Sequence, residues 1–175
     1  NIANEVTTMQ STGKYEEFIS SKRKSAPAVG FDVKTINKQL FPFQRDIVRW
    51  SLRKGRSAIF ADCGLGKTPV ELEWAKHVSA HTEKPVLILA PLAVAPQIVR
   101  EGIKFNVPVT ICEKPEDVQP GVNVTNYEKL HRFIDAAYMF GGIVLDESSI
   151  LKSFDGKTRK LITDFAKKIY FRLAA

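Results

Sequence analysis

The sequence predicts an α/β fold in which a mainly parallel sheet carries helices on both of its faces. Apolar runs of strand length alternate with segments of helical periodicity, which is typical of such a fold. Residues 85–91 form a continuous apolar run between two prolines, as expected of a strand that is covered on both sides. A loop of small residues at 61–66 separates the first predicted strand, 57–61, from the helix that follows it.

The folded domain is predicted to follow an N-terminal extension. Residues 1–13 are rich in Ser, Thr, Asn and Gln, residues 15–24 predict a short helix, and residues 25–30 predict a linker. We therefore divide the chain into an extension, residues 1–36, and one domain, residues 37–175. The strands predicted in that domain are 57–61, 85–91, 107–112, 122–126, 143–147 and 170–175. Helices are predicted before, between and after them, among them residues 92–104, with Ile103 as an apolar position, and residues 127–138.

The two helices around the small-residue loop have distinct apolar stripes. In the first, Pro42 suits the opening turn, and Phe43, Ile47 and Trp50 follow the i, i+4, i+7 pattern. Gly55 is expected to end this helix in the left-handed conformation. The second helix has its stripe at Val70, Trp74 and Val78, with Glu71, Glu73 and Lys76 on its other faces.

Composition excludes several classes of protein. The chain has 175 residues, 44% of them hydrophobic and 26% charged, as in ordinary globular domains. It contains no uncharged apolar run of about 18 residues, so we expect no membrane span, and residues 1–5 do not begin a signal peptide. Cys63 and Cys112 are too few for a zinc site or a disulfide framework, which fits a reducing cytoplasm. The net charge of +7 favours a polyanionic partner.

Residues 61–68 read Ala-Asp-Cys-Gly-Leu-Gly-Lys-Thr and have the order that a phosphate-binding loop requires. Glycines let backbone N–H groups approach the phosphates, and the start of the next helix adds its positive dipole end. Lys67 would reach the β- and γ-phosphates, and the Thr68 hydroxyl would bind Mg²⁺. The candidate nucleotide-binding residues of this loop are Cys63, Gly64, Leu65, Gly66, Lys67 and Thr68.

The first loop position departs from the strict pattern, which has Gly where this chain has Ala61. Since Gly-Lys-Thr also occurs by chance where ordinary helices begin, the loop alone leaves that alternative open. A second candidate site, far downstream in the sequence, decides between the two interpretations.

Asp146 and Glu147 end an apolar strand that begins near residue 143. Open parallel sheets bind ligands at the carboxyl ends of their strands, the edge at which the phosphate loop also lies. Asp146 would hold Mg²⁺, and Glu147 would act as the general base that activates the attacking water. Lys67, Asp146 and Glu147 are therefore the catalytic candidates, and Thr68 and Asp146 the metal candidates.

Gln44 favours adenine as the base, because a side-chain amide can pair with both the acceptor and the exocyclic donor of adenine. The alternative for Gln44 alone is an ordinary surface glutamine. Residues 37–40, Asn-Lys-Gln-Leu, begin like the guanine-reading Asn-Lys-x-Asp motif, but they end in Leu and precede the loop, so that interpretation fails.

Several motifs in the right order resemble the superfamily 2 helicases and translocases, nearest the Swi/Snf-type and phage DEAD/DEAH-like branches. Residues 41–44 resemble the Q motif, with Gln44 in the reading position, and residues 61–68 resemble motif I (Walker A), where the family often has Ala first. Residues 89–92 and 124–128 resemble motifs Ia and Ib, and residues 146–149 resemble motif II (Walker B). The resemblance covers residues 40–175 and implies a three-layer RecA-like P-loop domain.

The resemblance also implies partners. In the family, the loops of motifs Ia and Ib hold one strand of nucleic acid, which we expect to be DNA bound without sequence preference. The residues that this assigns to nucleic-acid contact are Pro91, Leu92, Thr125, Asn126 and Lys152. Relatives carry an arginine finger on a second RecA-like domain, and we expect that domain to be missing from this chain, which stops before motif III.

Two residues of motif II differ from the family pattern. Ser148 and Ser149 stand where relatives have Ala followed by Asp or His. Since the fourth position links hydrolysis to motif III in the family, we expect that link to be built differently here.

The sequence therefore predicts the N-terminal motor domain of an ATP-dependent helicase or translocase, which binds ATP and Mg²⁺ but hydrolyses ATP poorly as this fragment. We expect it in the cytoplasm of a bacterium or a phage-infected cell, with the nucleus left open. Two alternatives remain: a P-loop ATPase that does not act on nucleic acid, and a non-catalytic interaction module of helicase-like shape.

Overall fold

A computed structural model describes residues 27–59 and 66–175, and six parallel strands form one sheet at its centre. The strands are β1 (Arg56–Ala58), β2 (Val86–Ala90), β3 (Val109–Ile111), β4 (Val122–Asn126), β5 (Gly142–Leu145) and β6 (Phe171–Ala174). Their order across the sheet is β1-β6-β5-β2-β4-β3, and each neighbouring pair is parallel. The predicted fold class is confirmed.

Four α-helices and three 3₁₀ segments connect the strands in the described part of the chain. The helices are α1 (Pro42–Lys54), α2 (Lys67–Thr82), α3 (Ala95–Lys104) and α4 (Gly156–Lys167). The 3₁₀ segments are Pro115–Asp117, Tyr127–Met139 and Ser148–Lys152. The predicted short helix at 15–24 and the loop residues 60–65 lie outside the described residues.

Successive side chains of each strand point to opposite faces of the sheet. A hydrophobic core covers each face, so the sheet is buried on both sides. In β2, Val86, Ile88 and Ala90 join the core under α1, α2 and α3. Leu87 and Leu89 point the other way, into the core formed with the segment Tyr127–Met139 and α4. The continuous apolar sequence of β2 is thus the mark of a central strand with helices on both sides.

Helix α1 buries a different face from the one that its apolar residues predict. The predicted stripe is wrong, since Phe43 and Trp50 are 47% and 46% exposed. The buried residues are Gln44, Val48, Ser51 and Leu52. The face is displaced by one position because the polar Gln44 turns inward. Gly55 ends the helix with a positive φ of 71°, as predicted.

Two other helix predictions need correction. Residues 127–139 form a 3₁₀ segment rather than an α-helix, although Leu130 and Phe133 are buried as an amphipathic helix requires. Helix α3 begins at Ala95 instead of residue 92, because Pro96 suits a first turn, and its Ile103 is 73% exposed. Glu73, which lies off the apolar stripe of α2, is also buried, with 1% exposed.

The chain before α1 packs on the domain. Phe31 stacks on His81 with ring centroids 3.8 Å apart, and Ile36 is buried in the core. Gly30 donates its N–H to the Arg53 carbonyl, and a Cβ on Gly30 would lie 1.7 Å from the Leu52 carbonyl oxygen. Residues 29–36 therefore contact the domain directly, while the boundary at residues 36 and 37 stays a prediction.

Buried Glu73 connects Asn37, which directly follows that segment, to α2. Its carboxylate accepts hydrogen bonds from the Asn37 N–H at 2.9 Å and the Lys76 amine at 2.6 Å, and it lies 2.9 Å from His77 Nε2. Burial alone would raise the pKa of Glu73, but the bonds from His77, Lys76 and Asn37 outweigh it and lower the pKa to about 2.

No helix in the described ranges, 27–59 and 66–175, has both the length and the apolar character that crossing a bilayer demands.

We predict that Glu73→Gln reduces stability in a pH-dependent way. The folded pKa of about 2 lies below the unfolded value of 4.5, so the carboxylate stabilises the fold above pH 4.5 and loses that effect as pH falls towards 2. At pH 7 we expect a loss on the order of 2–3 kcal/mol, which shrinks below pH 4.5. Denaturant titration across that range measures it.

Glu116→Gln is the matched control, because Glu116 is exposed and forms no ion pair within the described residues. Equal pH dependence in the two variants would show that the Glu73 contacts add no stability.

Candidate functional site

A cavity of about 480 Å³ opens at the carboxyl ends of the strands. Its walls come from segments that are distant in sequence, because all strands of a parallel sheet end at the same edge. Lys67 and Thr68 begin α2, Pro91 follows β2, and Asp146 and Glu147 follow β5. The fold thus brings the predicted loop end and the predicted carboxylate pair into one site.

Lys67 faces Glu147 across this cavity. The Lys67 amine lies 3.5 Å from Glu147 Oε2, with 18% of the lysine side chain exposed. Gly66, which precedes the lysine, has a φ of 68°, a conformation that favours glycine. A Cβ on Gly66 would also lie 2.5 Å from Gln44 Nε2 and would displace that side-chain amide, so the backbone conformation is the stronger reason for glycine here.

Gln44 joins the start of α1 to the loop. Its side chain is 4% exposed, accepts a hydrogen bond from the Phe41 N–H at 2.9 Å and donates one to the Gly66 carbonyl at 3.1 Å. Gln44 also lines the cavity together with Phe41. The surface alternative for Gln44 is wrong, since a solvated glutamine would be neither buried nor held at both ends of its amide.

Asp146 and Glu71 form a buried carboxyl pair behind the cavity. Asp146 is 6% exposed and Glu71 is fully buried, and neither Glu71 oxygen accepts a hydrogen bond from the residues that the structure describes. Burial, and next the charge of Asp146, raise the pKa of Glu71 well above 4.5. Burial likewise raises the pKa of Asp146. The raised pKa favours the protonated form of Glu71, which can donate a hydrogen bond towards Asp146.

Glu147 adopts a strained backbone with a φ of 51°. A residue with a side chain in this region costs about 1–2 kcal/mol, so the contacts around it must hold it there. Ser149 donates its hydroxyl to Glu147 Oε1 at 3.0 Å, and Lys67 lies by the other oxygen. One of the two serines that depart from the family pattern thus positions the candidate base.

The loop after β5 is anchored to its neighbours on both sides. The Tyr127 hydroxyl donates to the Asp146 carbonyl oxygen at 2.8 Å, and the Asp146 N–H donates to the Leu89 carbonyl at 2.9 Å. The Ser148 N–H donates to the Ala175 carbonyl at 2.7 Å. These bonds connect the candidate metal ligand to the ends of β2, β4 and β6.

The predicted nucleic-acid residues occupy different surroundings. Leu92 is 64% exposed and Lys152 is exposed, whereas Pro91 lines the cavity. Thr125 and Asn126 are buried, and the Asn126 side-chain oxygen accepts the Lys129 N–H as a helix cap. Their contact with nucleic acid stays a prediction, as do the roles of Cys63, Gly64 and Leu65, which lie outside the described residues.

Sequence reasoning missed some residues of the site. Glu71 lies four residues after Lys67, a spacing that places both on one side of α2 and could have indicated it. The cavity also reaches Gln97, Glu101 and Lys104 on α3. Their neighbourhood depends on how α3 packs beside the segment before α1, which periodicity cannot indicate.

The donor set fits Mg²⁺ in the way that nucleotide sites use it. The described residues contain no cluster of three or more His, Cys, Asp or Glu side chains that could hold a metal. Mg²⁺ is usually bound by one or two protein oxygens together with phosphates and water. Thr68 and Asp146 supply such oxygens, and the buried Glu71–Asp146 pair would gain from a nearby cation.

No family model matches the chain. A search of curated proteins finds 32% identity over 166 residues with the SWI/SNF-related matrix-associated actin-dependent regulator of chromatin subfamily A-like protein 1 homolog of Caenorhabditis elegans. The match covers 83% of this chain and 23% of that protein. The chain spans a third or less of the length of the curated relatives it matches.

Solved structures share the fold. The UvsW helicase of bacteriophage T4 superposes with a TM-score of 0.65 at 15% identity, over 93% of this chain and 58% of that one. The SWI2/SNF2 ATPase core of Sulfolobus solfataricus in complex with dsDNA gives 0.66 at 22% identity, over 82% and 34%. The sequence match to the SWI/SNF-related protein, together with these likenesses, confirms the predicted resemblance, and the chain has the fold of the RecA-like helicase domains.

Proposed function

We propose that this chain is the ATP-binding N-terminal motor domain of a helicase or translocase that acts on nucleic acid, with DNA favoured over RNA. The observation that carries the proposal is the single cavity lined by Lys67, Thr68, Asp146 and Glu147. These four side chains come from two distant motifs and supply the charge types that a triphosphate and its cation require.

The proposed roles follow from position and chemistry. Lys67 is half-buried beside the loop and binds the phosphates as a point charge. Thr68 and Asp146 would hold Mg²⁺, which would supply charge neutralisation at the phosphates. Gln44 and Phe41 line the same cavity and are the candidates for contact with the adenine base.

Glu147 is the proposed general base. Its side chain is 44% exposed, so water reaches the carboxylate, while Ser149 and Lys67 fix its orientation. No arginine lines the cavity in the described part of the chain. Since an arginine finger contributes about 10³–10⁵ in rate to phosphoryl transfer, these 175 residues are expected to bind ATP and turn it over slowly.

The nucleic-acid partner is supported by charge and by similarity. The net charge of +7 favours a polyanion, and a solved structure of similar fold is a SWI2/SNF2 ATPase core in complex with dsDNA. A different P-loop ATPase and a non-catalytic module remain the competing functions, and the experiments below separate them.

We predict that Lys67→Ala weakens ATP–Mg²⁺ binding by about 10- to 100-fold, because a charge-assisted phosphate contact is lost. Isothermal titration calorimetry with a non-hydrolysable ATP analogue measures the affinity. Lys168→Ala, which removes an exposed lysine at the end of α4, serves as the control. Equal affinity in the Lys67→Ala and parent proteins would favour the non-catalytic module.

We predict that Glu147→Gln keeps nucleotide affinity within about threefold and abolishes the residual hydrolysis, since glutamine has the same shape but cannot accept a proton. Single-turnover assays with excess protein measure the slow reaction. Steady-state turnover matching a complete two-domain motor and stimulated by DNA would contradict the proposed dependence on an external arginine.

We predict that single-stranded or duplex DNA changes the affinity for the ATP analogue, because linked binding sites affect each other reciprocally. Affinity for the analogue is measured with and without a saturating oligonucleotide at fixed ionic strength. An unchanged affinity would favour a P-loop ATPase that does not act on nucleic acid.

A further inference from the structure

We propose that a second cavity, between the segment Tyr127–Met139 and α4, receives an unpaired base of the bound nucleic-acid strand. This inference rests on the proposed function, because it concerns the same nucleic-acid partner. We call the cavity the Phe154 cavity, after the aromatic residue that lines it and remains accessible.

The Phe154 cavity has the size and lining of a small-ligand site. It measures about 360 Å³, within the roughly 300–1,000 Å³ that is typical of such sites. Tyr127, Phe154 and Leu161 supply apolar surface, and His131, Lys157 and Thr158 supply polar groups. A flat apolar base with polar edges matches this combination.

Phe154 is the side chain suited to stacking. Its ring lies against Tyr127, with centroids 5.7 Å apart, and it stays partly exposed, whereas Tyr127 is only 2% exposed. The two rings are tilted by 54°, so Tyr127 packs against Phe154, and the partly exposed Phe154 ring lines the cavity. Stacking of a base on an aromatic side chain is worth about 1–3 kcal/mol by alanine substitution and tolerates any base.

The charges around the cavity favour a nucleic-acid strand over an apolar peptide. Lys157 on α4 lines the cavity and forms no ion pair with other described residues, and Lys152 and Arg159 are exposed basic residues near it in the sequence. The nearby acids are Glu128, on the rim, and Asp155, whose carboxylate accepts the Lys157 and Thr158 N–H groups. Since Asp155 already caps α4, a phosphate would be bound by basic side chains rather than by the helix end.

The position of the cavity fits a strand that runs past β4. Tyr127 directly follows β4, whose end carries the predicted contacts Thr125 and Asn126. The same Tyr127 donates its hydroxyl to the Asp146 carbonyl oxygen. Only the Tyr127 side chain would thus separate a nucleobase in the Phe154 cavity from the loop that carries Asp146.

The test compares two oligonucleotides that have equal charge. One is a 12-mer of thymidine, and the other is a 12-mer of tetrahydrofuran abasic residues. Fluorescence anisotropy measures the affinity of the whole 175-residue chain for each at several salt concentrations. We expect the parent protein to bind the thymidine oligonucleotide about fivefold or more tightly, and Phe154→Leu, which keeps apolar bulk without a ring face, to lose most of that preference.

Phe154→Tyr retains the ring and should retain the preference, which separates stacking from a change in packing. Tyr138→Leu is the matched control, because Tyr138 is 76% exposed and its carbonyl accepts the Lys84 amine, which lies before β2 at the opposite end of the sheet. Lys157→Ala should weaken both oligonucleotides equally and reduce the slope of log affinity against log salt by about 0.7.

The inference is overturned if the parent protein binds both oligonucleotides equally, or if Phe154→Leu keeps the full preference, as it would if the cavity receives a peptide instead. Failure of the parent protein to bind either oligonucleotide would overturn it together with the nucleic-acid part of the proposed function. The nucleotide-binding part is tested separately by Lys67→Ala.

Discussion

The balance of charge at the carboxyl edge of the sheet constrains this molecule more than any other interaction. Lys67 faces Glu147 at 3.5 Å, and behind them lies the buried pair of Asp146 and Glu71. One amine thus sits beside three carboxyl groups in a partly dehydrated space. Such a group of charges is stable only with a shared proton or an added cation. Burial, and next the charge of Asp146, raise the pKa of Glu71 and so favour its protonated form, which lowers the repulsion between the two carboxyl groups.

The segment before α1 holds the other wall of the cavity in place. The Asn37 N–H donates to Glu73, and the Asn37 side-chain amide donates to the Phe105 carbonyl at 2.8 Å. One residue therefore connects α2 with the end of α3 and fixes where the chain enters α1. Gln44 extends this arrangement to the phosphate loop through the Gly66 carbonyl. The two ends of the cavity, at Gln44 and at Gly66, are thus joined by hydrogen bonds.

Sequence patterns predicted those features that depend on local burial. Apolar runs predicted β2 and the bounds of β4. The parallel sheet then predicted that Lys67 and Glu147 meet at the carboxyl edge. The buried face of α1 did not follow, because polar Gln44 lies on it while aromatic Phe43 is exposed. A polar side chain is buried where tertiary contacts supply its hydrogen-bond partners, and the periodicity of apolar residues does not predict those contacts.

The loop after β5 links the two cavities physically. Asp146 is held from β2 by its N–H, and from the start of the Tyr127–Met139 segment by its carbonyl oxygen. Ser148 is held by Ala175 at the end of the chain. Because Glu147 lies between these anchors in a strained conformation, a shift of either anchor changes the direction of its carboxylate. A ligand that moves Tyr127 would therefore change the orientation of the Glu147 carboxylate without touching the first cavity.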